Sequence, residues 1–328
     1  MNGVSVIVCC YNSADRIEET LTFLQSQKIG AHISWEVIVV NNGSHDNTRE
    51  IVCKQWIGKQ GHPPIHLFDE HKAGLIYARI KGIEEAIYDL VVFCDDDNHL
   101  DENYIASSYA LMHQKADVAI AGGLIKPKLP FYPGKWIEAN YGALAIGAVA
   151  PQSGYVAWVF GAGMVVRKSI FNELKSKGIV LMLTGRLGAK QTSGDDAELC
   201  QFARFLGHKI YYSQELVLHH NISAHRLTRW NFIKTNYKNV YMVVYFYLLD
   251  KLIASKEMKP STHYFDFLLT RLGYVVYFLP RVFLGKNNFY SFMMFFQNIQ
   301  LLVWTFLRRK RFMETYENIR TNLYHGKG

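Results

Sequence analysis

The first hundred residues repeat one rhythm: the apolar runs VSVIVCC, WEVIVV, IHLF and DLVVFC alternate with segments patterned as helices, from about residue 13 to 27, after Asp46, and over 75–87. Strand, helix and strand in that order join strands that point the same way, so the pattern predicts an α/β fold: a mainly parallel sheet with helices on both faces. Runs as unbroken as VSVIV and VVFC have no polar side to turn to water, which assigns them central positions. In open sheets of this kind ligands bind beyond the carboxyl ends of the strands. The residues standing there are Tyr11 and Asn12, then Asn41-Asn42-Gly43-Ser44, then Asp95-Asp96-Asp97.

From about residue 124 to 225 the pattern is less regular. It holds a Pro/Lys stretch (IKPKLPFYPGKW), a small-residue run (VFGAGMVV) that reads as a strand, and a helix starting near Asp195. From Arg226 onward the composition turns aromatic and aliphatic, as in VYMVVYFYLL, LGYVVYFLP and FYSFMMFFQNIQLLVWTFL, the last followed by the basic run Arg308 to Arg311. That last stretch, residues 289–307, has the ~20 residues a membrane span needs. Gln297, Asn298 and Gln300 interrupt it, however, which favours a helix lying in a membrane interface or packed on the first region. The adjoining basic run suits an anionic cytoplasmic leaflet.

A hydrophobic content of 49% excludes a disordered chain, and a net charge of +8 draws anionic partners without choosing among them. The five cysteines form no CxxC pair, and four lie in or beside apolar runs. They read as reduced thiols packed as small hydrophobes, hence a reducing compartment. The opening MNGVSVIVCCYN has no basic start and runs straight into a strand, unlike a signal peptide.

The strongest chemical signal is VVFCDDDNH. Three successive carboxylates at the end of a buried strand repel one another unless a cation compensates them, and Mg²⁺ or Mn²⁺ bridging to a diphosphate is the natural occupant. Alternation along an extended segment pairs Asp95 with Asp97 and turns Asp96 away. The bland alternative is an acidic turn capping the next helix. In SGDDAELCQFARFLG, Asp195 and Asp196 precede an amphipathic helix and can act as an N-cap or as a general base. In HKAGLIYARIKG, Lys72 and Arg79 bring positive charge to a helix start, suited to phosphates or to plain surface charge. Trp158 reads equally as a sugar-stacking ring or a core residue.

Taken in order, VSVIVCCYNSADRIEETLTFL, EVIVVNNGSHDNT, HKAGLIYARIKG, VVFCDDDNH, FGAGMVVRKSIF, SGDDAELC and LVLHHNISAHR resemble a family 2 glycosyltransferase of the GT-A fold over roughly residues 3–225. The resemblance implies a catalytic domain at 1–225, nucleotide-binding over 1–100 and acceptor-facing over 101–225, followed by a helical region at 226–328. It implies that Tyr11 and Asn12 border the nucleotide. Asn41 and Asn42 stand where the family usually has two aspartates that hold the base or ribose. Lys72 and Arg79 match positions near the base and phosphates. Asp95 and Asp97 match the DxD motif, with Asp96 between them and Asp97 as the direct metal ligand. Gly161 to Gly163 match a small-residue strand under the acceptor. Asp196 matches the catalytic base, with Asp195 in place of a Glu, and His219, ahead of His220, matches an additional ligand for metal or diphosphate.

The implied reaction is a single displacement with inversion, from a nucleoside-diphosphate sugar to a glycan or lipid-linked acceptor. The implied cofactor is Mn²⁺ or Mg²⁺, and the implied setting is surface-polysaccharide assembly at the inner face of the cell membrane. Two rivals remain. A sugar-phosphate nucleotidyltransferase would want a glycine-rich loop where CCYNSADR stands. A basic membrane- or nucleic-acid-binding protein would leave the acidic strand ends unexplained, and nucleic acid is not an expected partner.

Overall fold

The computed structural model describes residues 2–56, 62–187, 190–191, 194–255, 259–284 and 288–324. Its elements run β1 (Val4–Cys10), α1 (Ile17–Gln25), β2 (Trp35–Asn41), α2 (Thr48–Trp56), β3 (Ile65–Asp69), α3 (Leu75–Glu85), β4 (Leu90–Asp95), β5 (Asn98–Leu100), α4 (Tyr104–Gln114) and β6 (Val118–Lys128). There follow β7 (Gly154–Val156), β8 (Val165–Arg167), α5 (Ser169–Ser176), the short pair β9 (Arg186–Leu187) and β10 (Lys190–Gln191), α6 (Asp195–Phe205) and β11 (Lys209–Asn221). Five helices follow among the described residues: α7 (Arg229–Lys238), α8 (Val240–Ala254), α9 (Pro260–Leu284), α10 (Asn288–Leu307) and α11 (Arg309–Tyr324). Short 3₁₀ segments occupy Glu138–Leu144 and Ala224–Leu227.

One sheet carries the order β3-β2-β1-β4-β8-β6-β11-β5, with β7 added on β11. The four apolar runs read from the sequence pair in parallel. Beyond them β8 runs antiparallel between β4 and β6, so the sheet is mixed while remaining mainly parallel. Successive residues face opposite sides. Val6, Val8, Val37 and Val39 pack under α1, α2 and α4, while Ile7, Ile38, Val91 and Phe93 face α3 and α6. That second layer continues without a break into the C-terminal helices, through Val244 and Leu248 of α8 to Phe312 and Ile319 of α11.

The small-residue run departs from its reading as a strand. Only Val165–Arg167 is extended, and Gly161 to Gly163 form the turn before it. Gly163 has φ +70 and offers its carbonyl to Tyr104 Oη at 2.6 Å. A side chain there would meet that Tyr104 hydroxyl at 2.4 Å. Small residues suit a tight strand and a tight turn equally, so composition did not separate the two.

Candidate active site

Arg79 lies on the face of α3 that packs on the sheet, and only 6% of it is exposed. A guanidinium taken so far out of water needs acids around it. Its Nη1 stands 2.5 Å from Asp195 Oδ2 and its Nη2 3.6 Å from Asp95 Oδ1, with the Phe93 ring 4.9 Å below. One buried cation therefore ties the last residue of β4 to the first of α6. Burial pushes the Asp195 carboxyl up to about 6; Arg79 pulls it back, and the charge of Asp196 adds to the rise.

Asp196 sits beside this pair. Its Oδ2 accepts the Gly161 N–H and its Oδ1 the Ala197 N–H, both at 2.8 Å. A side chain at Gly161 would meet Arg79 Nη2 and Asp196 Cβ at 3.1 Å, which accounts for glycine in that turn. The residue that opens α6 is Gly194, with φ +105, so neither aspartate is the N-cap. Asp196 nonetheless takes up one N–H of the first turn, and the same carboxylate lines the cleft.

The three strand-end carboxylates diverge. Asp95 lines the cleft beside Arg79. Asp96 turns to the other side, 2.9 Å from Arg16 and hydrogen-bonded by the Ser13 hydroxyl. Burial, with the charge of Asp97, raises its carboxyl to about 6. Asp97 accepts the Asn98 side-chain N–H at 3.1 Å and has Oδ2 3.4 Å from His220 Nε2 and 3.8 Å from Arg226.

The register of β11 places His219 opposite His99, while His220, opposite Asn98, reaches Asp97. His220 is thus the histidine at the acidic cluster, where the sequence had ranked His219 first. A one-residue step in a strand exchanges faces, and tandem histidines give no pattern by which to fix it.

Among the described residues no three His, Cys, Asp or Glu side chains stand together as a metal cage. A cation that travels with a diphosphate needs only one or two protein carboxylates, its other positions being filled by phosphate oxygens and water. The carboxylates Asp95 and Asp97 fit that requirement, and the buried His220 beside Asp97 keeps an Nδ1 without a hydrogen-bond partner.

The remaining expected residues rim the sheet edge and do not line this cleft. Asn12, at φ +48, donates its N–H to Ser44 and accepts the N–H of His45, locking the loop after β1 to the loop after β2. Asn41 donates to Asp69 at 3.0 Å. Asn42 donates to the carbonyls of Glu70 and Lys72 and accepts the Gly74 N–H, all within 2.9 Å. Its amide thus ties down the loop that leads into α3. Lys72 holds its ammonium 3.8 Å above the Tyr77 ring, and Tyr11 is 44% exposed.

The cleft measures about 730 Å³ and is walled on one side by the strand ends, the Gly161 turn and α6 and on the other by the C-terminal helices, through Asn239, Met242, Phe246, Asp250 and Gln297. Trp158, 41% exposed and edge-on to Phe160, lines it as well. Three contributors escaped the sequence reading. Arg226 follows the tandem histidines in a short 3₁₀ turn, which no periodicity announces. Arg16 compensates Asp96 across 80 residues. Glu198, inside the acidic start of α6, is fully buried; it accepts the N–H groups of Met182 and Leu183 at 2.9 Å and the Tyr245 hydroxyl.

The sequence model of Glycosyl transferase family 2 matches residues 5–173. Poly-beta-1,6-N-acetyl-D-glucosamine synthase of Staphylococcus aureus (strain MSSA476) is 30% identical over 129 residues, which cover 39% of this chain and 29% of the synthase, so the match spans less than a third of that relative. Glucosyl-dolichyl phosphate glucuronosyltransferase of Haloferax volcanii is 23% identical over 235 residues, 68% of this chain and 70% of that one. Among solved structures, S. aureus TarS 1-349 superposes with a TM-score of 0.53 at 15% identity, covering 99% of this chain and 92% of that one. GalNAc-T7, solved with UDP, GalNAc and Mn²⁺, gives 0.50 at 14% identity over 68% of this chain and 44% of its own. At such identities the likeness concerns the fold, a GT-A-type α/β sheet flanked by helices with a helical, aromatic-rich C-terminal region.

Proposed function

Since the chain belongs to glycosyl transferase family 2, whose model accounts for more than half of it, we propose that it moves a sugar, with inversion, from a nucleoside-diphosphate sugar to a hydroxyl of a glycan or lipid-linked acceptor. The setting we propose is surface-polysaccharide biosynthesis at the inner face of the cell membrane. The observation that carries this reading is the Arg79 bridge, which brings the strand-end acid Asp95 and the α6 acids into one cleft.

In this reading Asp196 is the general base. The acceptor oxygen forms its bond to the anomeric carbon, the bond to the diphosphate breaks on the opposite face, and the hydroxyl proton passes to the Asp196 carboxylate. The N–H groups of Gly161 and Ala197 fix that carboxylate toward the cleft. Arg79 and Arg226 place positive charge where the departing diphosphate gains negative charge. Asp95, Asp97 and His220 would hold a divalent cation, in support of which GalNAc-T7 was solved with Mn²⁺. Such an ion, when bound, supplies Lewis-acid neutralisation of the leaving group. A lipid-linked acceptor draws support from the dolichyl-phosphate relative.

The test is a panel of UDP-, GDP- and dTDP-sugars with Mn²⁺, scored for donor hydrolysis, with Asp196→Asn in parallel. One donor should be turned over, and the variant should lose ~10²-fold or more in turnover while its affinity for the nucleoside diphosphate is kept. No hydrolysis of any donor, or a fully active variant, would overturn the assignment.

A further inference from the structure

Phe265, Leu269, Leu272, Val276, Leu279 and Phe283 follow one another along α9 at steps of four and three residues, each 47–75% exposed. At 1.5 Å per residue this apolar stripe runs about 27 Å. Phe296, Val303, Phe306 and Leu307 of α10 are exposed beside it. Between the two helices lies a groove of about 490 Å³, lined only by apolar side chains, Leu268, Leu272, Leu302 and Val303 among them. Solvent-exposed apolar area of this extent marks a surface that is covered in use.

Helix α9 is the one described helix long and apolar enough to cross a bilayer, a property the sequence had pointed to in residues 289–307. Its first two turns are pinned, however. His263, Tyr264 and Phe267 are buried. Asp266 accepts the Tyr247 hydroxyl at 2.6 Å and pairs with Lys251 at 3.0 Å. A helix held at its start by the protein, packed along its length on α10 and apolar on the remaining side lies on a bilayer and does not thread it.

Steps of four and three are also the seam of a coiled coil, which a second copy could complete. Charge decides between the two. Residues 267–313 contain no Asp or Glu and seven Lys or Arg, four of them the exposed run Arg308 to Arg311 at the mouth of the groove. Two copies would set like charges together, whereas an anionic leaflet compensates them.

We propose that the α9–α10 hairpin docks flat on an anionic lipid bilayer, its apolar stripe in the acyl boundary and its basic collar on the head groups. This deepens the transfer reading above by naming the surface from which the acceptor arrives. Gln297 of α10 lines the cleft, and Val303 of the groove lies six residues on, about 9 Å along the helix. A hydroxyl-bearing head group anchored by its tail therefore reaches the cleft without leaving the leaflet.

The test is co-sedimentation of the full chain with phosphatidylcholine vesicles, with and without phosphatidylglycerol. The wild type should bind the anionic vesicles about tenfold or more tightly than the neutral ones, and salt should weaken the preference. Leu269→Asp combined with Phe283→Asp should lose about tenfold in binding, and Arg308→Gln combined with Lys310→Gln should lose most of the anionic preference. Both variants should keep donor hydrolysis in solution and an unchanged circular-dichroism melt, so a failure of the transfer reading stays separate from a failure of docking. Equal binding to both vesicle types, variants that bind like the wild type, or a dimer in light scattering that the aspartates dissolve would each overturn the proposal.

Discussion

At the scale of single residues, Arg79 neutralises two acids that come from different elements. Replacing it with Met leaves Asp195 and Asp95 facing each other without a cation, and breaking a buried pair in this way costs about 3–5 kcal/mol. Urea denaturation of Arg79→Met should register a loss of that order, whereas Asp196→Asn, which turns one of two accepting oxygens into a donor facing an N–H, should lose only about 1–3 kcal/mol in the same measurement. Asn42 supports a second expectation. Asn42→Asp sets a carboxylate against the carbonyls of Glu70 and Lys72, where the amide donates. The two donors vanish, so about 1–3 kcal/mol of stability should go with them, read by the same denaturation curve. If the variant were as stable as the wild type, the loop would not depend on those bonds. The strand-end aspartates and asparagines, and Arg79, Asp195 and Asp196 near helix starts, were all visible in the sequence as residue types. What each one touches was not, because an amide serves a ligand or a backbone with the same atoms.

Among the elements, the first four strands and three helices appear where apolar runs and helical spacing put them. Long buried strands and amphipathic helices leave strong periodic traces. The three-residue strands β5 and β7 left none, and β8 was legible only as the end of a longer run in which the Gly161–Gly163 turn resembled a strand. Helix α6 owes its position to Glu198, which ties it to the Met182–Leu183 backbone and to Tyr245 of α8. Burial pushes that carboxyl from 4.5 up to about 7, although Tyr245 and both N–H groups pull the other way. The folded chain thus favours the protonated form more than the unfolded chain does. The resulting stabilisation is complete below about pH 4.5 and is lost as pH rises through about 7, on the order of 3 kcal/mol. Glu198→Gln cannot titrate, so its stability should stay flatter over that window, and the gap between the two proteins should narrow as pH rises. Parallel pH profiles from chemical denaturation would contradict the burial account.

On the scale of the whole molecule, the helical region after residue 225 is set apart in the sequence because its composition changes at Arg226. Composition reports what a segment is made of and is silent about what it packs against. Val244, Leu248 and Leu249 of α8 share one core with Ile7 and Ile38 of the sheet, and α7, α8 and α10 supply a wall of the cleft. A chain ending at residue 225 should therefore bind 8-anilinonaphthalene-1-sulfonate and lack a cooperative melt, while the full chain melts in one transition. A sharp, independent melt of the shortened chain would refute this. The shared core also bears on protein engineering: the change of composition at Arg226 is a poor seam for building chimeras. A graft that moves the sheet without α8 would leave behind part of one wall of the cleft, so a change in what the cleft admits is better sought by varying Met242, Phe246 and Asp250 in place.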